Sequence, residues 1–201
     1  MLERGIVMNA AIQNMLERRS IRKYRPDQIS DEDLNIILEA GLYAPNAGGR
    51  QSPIFVVCRN AEINAALGKI NKAAFHGRMS TENAYISKEQ PSIADDADIA
   101  SGFYGAPVVI TLFASENFLY SEADCCVAAQ NIMLAAHSLG IGSCMVARAW
   151  DTFSSELGRR LQEEWDIDKG MEAKIHVILG YADSARPSAK PRKGNRVRVV
   201  N

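Results

Sequence analysis

The run Pro107-Val108-Val109-Ile110-Thr111-Leu112-Phe113 constrains this chain more than any other stretch. It carries no charge and one hydroxyl, so an extended segment of this composition has no face to offer water. It reads as a buried strand. Ile54-Phe55-Val56-Val57-Cys58, entered from Pro53, and Lys174-Ile175-His176-Val177-Ile178-Leu179-Gly180 read as two more. Between them apolar residues recur at helical spacing. Asn9–Arg19 places Ile12, Met15 and Leu16 on one stripe. A second helix enters at Ser30 with Asp31, Glu32 and Asp33 in its first turn, which suits the helix dipole. Leu34, Ile37, Leu38 and Leu42 continue it until Pro45. Ala61–Phe75 and Asp151–Trp165 are further helices, and a long one is capped by Ser121-Glu122-Ala123-Asp124 and stopped by Gly140. Its residues Val127, Ile132, Leu134, Ala135 and Leu139 are apolar nearly all round, which predicts a core or a subunit interface. No repeat or linker interrupts the pattern, so 1–201 reads as a single domain.

A chain of 201 residues, 47% hydrophobic and 23% charged, can bury a substantial core. A net charge of −1 offers no field for nucleic acid or an anionic membrane. No apolar run approaches the roughly 18 residues of a membrane span, and Met1–Met8 lacks the basic and apolar segments of a secretory signal. The expectation is a cytoplasmic protein. Cys58, Cys125, Cys126 and Cys144 form no C-x-x-C pair, and His76, His137 and His176 lack ligand spacing, so no metal site is expected. The stretch 77–105 is polar, acidic at Asp95-Asp96-Ala97-Asp98, and carries Tyr85, Phe103 and Tyr104. A connection this long is either a solvated excursion with local helix or a lid over a ligand cleft.

Helices and strands alternate, yet no G-x-G-x-x-G follows the first strand and no P-loop occurs, which argues against a doubly wound nucleotide fold. Charged-ligand equipment lies elsewhere. Arg18-Arg19-Ser20-Ile21-Arg22 gathers three guanidinium groups and a hydroxyl. Ala44-Pro45-Asn46-Ala47-Gly48-Gly49-Arg50-Gln51 is a small-residue loop whose backbone can approach a ligand closely. Lys190-Pro191-Arg192-Lys193 is a second basic cluster on an extended arm. Singly these are a solvated face, a helix end and a charged tail. In combination they suit a flat, polar-rimmed ligand bearing a phosphate, such as flavin mononucleotide (FMN), whose dianionic phosphate guanidinium groups bind well.

At this point the chain resembles the nitroreductase family of FMN-dependent oxidoreductases. Glu17-Arg18-Arg19-Ser20-Ile21-Arg22-Lys23-Tyr24 is similar to that family's R-R-S-x-R signature. Ala44–Pro53 resembles its A-P-S-x-x-N-x-Q-P loop, with Asn46 for the usual Ser and Gly49 where Asn is common. Leu139-Gly140-Ile141-Gly142-Ser143-Cys144-Met145 resembles its L-G-x-G-[ST] turn, and Lys190-Pro191-Arg192 its C-terminal K-x-R clamp. The resemblance implies an α+β, three-layer fold: a central mixed, mainly antiparallel sheet flanked by helices, with the C-terminal arm (184–201) exchanged in a homodimer. It implies that Arg18, Lys190 and Arg192 hold the phosphate with Arg19 and Ser20 close by, and that Arg22 lies near flavin N1 and O2. Pro45, Asn46, Ala47, Gly48 and Gln51 would come from the opposite subunit. Met145, Val146 and Ala147 would line the ring, and Asn71 would touch the pyrimidine edge. Residues 77–105 would be a variable segment shaping the substrate pocket.

The implied activity is hydride transfer from NADH or NADPH through flavin N5 to a nitroaromatic, quinone or related small acceptor, in a ping-pong scheme that needs no catalytic side chain. The alternatives are a specialised variant that reduces activated alkenes or removes halogen or nitro groups, a flavin-binding store or sensor without turnover, and an unrelated phosphometabolite-binding domain.

Overall fold

The computed structural model describes residues 9–76 and 88–200. Its centre is a four-stranded sheet in the order β1-β2-β4-β3, built from β1 (Ile54–Cys58), β2 (Val108–Ser115), β3 (Gly142–Val146) and β4 (Met171–Gly180). Every pairing between these strands is antiparallel. Among the described residues, the parallel component of the expected mixed sheet is confined to an isolated bridge between Ser20 and Ser143.

Burial on both faces explains the apolar runs. In β2, Val108, Ile110, Leu112 and Ala114 enter one core while Val109 and Phe113 enter the other. The first core is covered by α2 (Asp31–Leu42) and α4 (Ser121–Ser138), the second by α3 (Ala61–Ala73), α5 (Ala149–Phe153) and α6 (Glu156–Glu164). In β4 the phase slips at a bulge: Leu112 faces Ile175 but Phe113 faces Ala173, so Lys174 is the extra residue. The bulge lets Ala173 and Ile175, both odd-numbered, serve opposite cores.

Three local expectations change. The segment after the long helix is not simply a turn but an edge strand, β3; two glycines and a serine hid its strand character. Helix 151–165 is broken into α5 and α6 at Ser154 and Ser155, where Ser155 caps the second helix by accepting from the Gly158 N–H. A Cβ on Gly158 would lie 2.4 Å from Phe153 Cα, so only glycine permits that tight corner. The third change is at the start of α4, which has no side-chain cap: the Ser121 hydroxyl donates to the Ser115 carbonyl, and Asp124 is used elsewhere. The first helix, α1 (Ala10–Glu17), contributes no buried residue, and Ile12, Met15 and Leu16 remain exposed.

His176 sits in the centre of the second core, fully buried, with Nδ1 2.9 Å from Thr111 Oγ1 and its ring edge-on to Phe103. Burial pushes its pKa down to about 3 from an ordinary value of 6.5. A group that protonates more readily in the unfolded chain adds stability above the unfolded pKa and loses it as pH falls towards the folded one. Between pH 7 and pH 5 this residue alone should cost about 2 kcal/mol. Urea unfolding should therefore show a fall over that interval about 2 kcal/mol smaller in a Thr111→Val/His176→Leu variant, which removes both polar partners together, than in the native protein.

Candidate functional site

Residues Ser20–Arg25 run along the sheet's β3–β4 end as a strap. The Ile21 N–H donates to the Ser143 carbonyl, the Tyr24 hydroxyl donates to the Ile21 carbonyl, and Tyr24 bridges Ala182. Ile21 is buried against Gly142, whose missing side chain makes room for it. This strap fixes the arginines at the mouth of a cleft of about 400 Å³. Arg18, Arg19, Ser20, Arg22, Lys190 and Arg192 all line it, so the two basic clusters expected to share a phosphate do meet. Arg18 Nη1 and Arg19 Nε are buried without a hydrogen-bond partner. Burial also lowers the Arg18 pKa, yet a guanidinium stays charged at any physiological pH. Buried, unpartnered cationic N–H groups are costly unless an anion completes them.

The cleft has members that the sequence reading missed. Ser92, Ala94 and Asp95 line it from the far side, and Ser92 holds the Asp95 carboxylate through both its N–H and its hydroxyl. Gln90, fully buried, accepts from the Arg22 N–H, takes the Arg22 guanidinium on its carbonyl at 3.0 Å and donates to Ser184 Oγ. It ties the long polar connection to both the strap and the arm. Of that connection, 77–87, including Tyr85, lies outside the described residues.

The ring-lining expectation meets a mixed geometry. Because the Ser143 carbonyl points away from β4 towards Ile21, Met145, two residues on, presents its backbone N–H to the same open edge. Met145 and Ala147 are exposed there, whereas the Val146 side chain is buried in the second core and could offer a ligand backbone only. Asn71, expected at the pyrimidine edge, lies in a protein network. It is fully buried, and its amide donates to the Ala147 carbonyl at 2.8 Å and to Thr152 Oγ1 at 3.0 Å. Its Oδ1 accepts from Arg148 Nη2 at 2.9 Å. With these groups engaged it positions the turn after β3. Arg148, at φ 65° in the left-handed region, is the strained residue this network holds. Its guanidinium also packs over Phe75.

The small-residue loop lies apart from the arginine cleft. Pro45, Asn46, Ala47 and Gly48 line a separate hollow with Tyr120, Ala123, Asp124 and Val127, and Gln51 belongs to a neighbouring one. Asp124 of α4 anchors the loop by accepting the Ala47 N–H at 3.0 Å, and Asn46 Oδ1 accepts the Gln51 N–H at 2.8 Å. Gly48 and Gly49 both adopt φ 64°, which explains a glycine at position 49. Among the described residues no cluster of His, Cys, Asp and Glu could hold a metal, and no helix is long and apolar enough to cross a membrane.

A sequence profile of the nitroreductase family matches residues 15–181. The chain belongs to that family. A relative from Archaeoglobus fulgidus, assigned provisionally as an NADH dehydrogenase/NAD(P)H nitroreductase, is 35% identical over 136 residues, covering 68% of this chain and 66% of the relative. A second archaeal relative, from Methanothermobacter thermautotrophicus, is covered over 54% of its length, so the chain spans only part of these curated relatives. The NADPH-flavin oxidoreductase of Vibrio harveyi is 27% identical over 92% of this chain and 70% of its own. Among solved structures, a nitroreductase with bound FMN from Bacteroides fragilis superposes with a TM-score of 0.79 at 26% identity, covering 96% of this chain and all of that one. The nitroreductase fold is thus the three-layer α+β arrangement described above.

The Asn71 network generates a prediction. Asn71→Leu leaves the Ala147 carbonyl, Thr152 Oγ1 and the Arg148 fork short of partners, and should destabilise the protein by at least about 2 kcal/mol in chemical unfolding.

Proposed function

We propose that the protein is an FMN-dependent oxidoreductase, using NADH or NADPH to reduce a nitroaromatic, quinone or related small acceptor. The observation that carries this reading is the pair of buried, unpartnered N–H groups on Arg18 and Arg19, in a cleft that also gathers Ser20, Arg22, Lys190 and Arg192. A phosphate is the group whose charge and acceptor oxygens fit that donor set. Arg18, Arg19, Ser20, Lys190 and Arg192 would hold the phosphate, and Arg22 would supply a cation beside the pyrimidine end of the ring. The open edge at Met145 and Ala147 would give backbone donors. Bound FMN would supply the hydride chemistry, accepting from the nicotinamide and delivering to the acceptor in ping-pong order. The chain's own task is to orient, to place charge and to admit one planar partner at a time; no side-chain acid, base or nucleophile is assigned.

A homodimer completes the site in this reading. The loop at Pro45, Asn46, Ala47, Gly48 and Gln51 does not line its own chain's cleft, which supports its reaching the partner's flavin. Apolar residues on α1 are exposed, as are Leu119, Tyr120 and Trp150, and such residues are candidates for burial on pairing. The arm expected to exchange, 184–201, lines its own chain's cleft at Pro187, Ser188, Lys190 and Arg192, so exchange would fall to the part beyond Arg192, where Val197, Val199 and Val200 are exposed. Free thiols at Cys58, Cys125, Cys126 and Cys144 agree with a cytoplasmic, reducing setting. The described part of the long connection, 88–105, would form the segment over the ring's open side.

Absorbance titration of cofactor-free protein tests the assignment. FMN should bind more tightly than riboflavin, which lacks the phosphate, and Arg18→Ala should weaken FMN by about 1.5–3 kcal/mol while leaving riboflavin nearly unchanged. Equal affinity for the two flavins in the native protein would remove the phosphate role. A chain ending before Lys190 should retain less FMN and shift towards monomer in size-exclusion chromatography. Anaerobic mixing with NADH or NADPH then separates an enzyme, whose flavin bleaches rapidly, from a storage or sensor protein.

A further inference from the structure

A relay of hydrogen bonds at the root of the arm joins α1, α4 and the arm. Asn14 Nδ2 of α1 donates to the Leu134 carbonyl of α4 at 2.9 Å, which turns Asn14 Oδ1 towards His137, whose Nδ1 it contacts. The other ring nitrogen, Nε2, lies 2.9 Å from Arg186 Nη1. An amide oxygen cannot donate and a guanidinium cannot accept. The partners therefore fix the ring as neutral, with its proton on Nδ1 and the Nε2 lone pair on Arg186.

Arg186 precedes Pro187, whose ring fixes the backbone φ, and Pro187, Ser188, Lys190 and Arg192 then line the phosphate cleft. We propose that His137 is a pH-sensitive positioning residue for cofactor binding: its neutral ring latches Arg186, and protonation at Nε2 releases the arm that carries Lys190 and Arg192. The inference rests on the flavin reading of the cleft. A proton on Nε2 replaces the acceptor with a donor and sets a cation against a cation. The charged groups facing the ring are Arg186 from the arm, Glu17 from the end of α1, and Arg18 and Arg19 between α1 and the strap. Burial first, then Arg186, Arg18 and Arg19, push the ring's pKa below 6.5, with Glu17 opposing. A pKa depressed in the latched state means the latch is intact above about pH 6.5 and is lost as pH falls through the lowered value.

The flavin phosphate itself takes a proton near pH 6, so the native profile alone does not isolate the latch. His137→Gln does, because an amide can donate to Asn14 and accept from Arg186 at every pH. FMN dissociation constants of cofactor-free protein should weaken between pH 7.5 and 5.5 by a larger factor in the native protein than in His137→Gln. Equal steepness in the two would overturn the coupling to the cofactor. The His137 titration followed by NMR without FMN reads the latch separately: Arg186→Ala should raise its pKa, and an unchanged value would overturn the latch. A native protein that binds no FMN at either pH would overturn the flavin reading and the coupling with it, while the ring titration would still report on the latch.

Discussion

Three guanidinium groups within five residues repel one another, and the site depends on what holds them in place. The strap does so with backbone bonds that owe nothing to charge. Ile21 donates to Ser143, Arg25 to the Tyr181 carbonyl, and Asp183 to the Lys23 carbonyl. Ile21 sinks beside Gly142, and Tyr24 packs against Gly180, where a side chain would collide with its ring. The same bonds fix both ends of the site: residues 20–25 hold the tract that carries Arg18, Arg19 and Arg22, and residues 181–183 launch the arm that brings Lys190 and Arg192. A donor set held before the ligand arrives does not spend binding energy on its own ordering.

The buried sheet gives this strap something rigid to lie on. β2 and β4 are covered on both faces, so their positions are set by packing on two cores rather than one. β3 is pinned to β4 on one side and meets the strap on the other, and its remaining edge is where backbone donors stay available. Asn71 and Arg148 then lock the turn that ends this edge. The small-residue loop is held by Asp124 through the Ala47 N–H, against a different part of the surface. In the proposed dimer each loop would serve the other subunit's cleft, and a single chain would carry two half-sites and no complete one.

The parts of this arrangement legible in the sequence were those with local signatures. Val108–Phe113 announced a strand by its uniform apolarity, Ser30 announced a helix by capping, and the arginine tract announced an anion site by charge density. What stayed hidden depends on contacts far apart in the chain. β3 has no strand composition; it is a strand because β4 pairs with it and Ile21 closes over Gly142. Asp124 looked like a helix-cap acid, yet the Ala47 N–H, distant in sequence, claims it. Asn71 looked like a ligand contact because its residue type suits one, but burial and three protein partners give it a positioning task. Gln90 lies in a polar stretch without periodicity, and only the fold reveals that it joins the strap to the arm.

A crystal structure of the flavin-reconstituted protein tests the central claim most directly. The account predicts a phosphate seated between the strap and the arm, with Arg18 Nη1 and Arg19 Nε at charge-assisted hydrogen-bond distance, about 2.7–2.9 Å, from its oxygens. It also predicts that the Pro45–Gln51 loop over the ring comes from the second subunit. A flavin bound with its phosphate in solvent, or one enclosed by residues of a single chain alone, would contradict it.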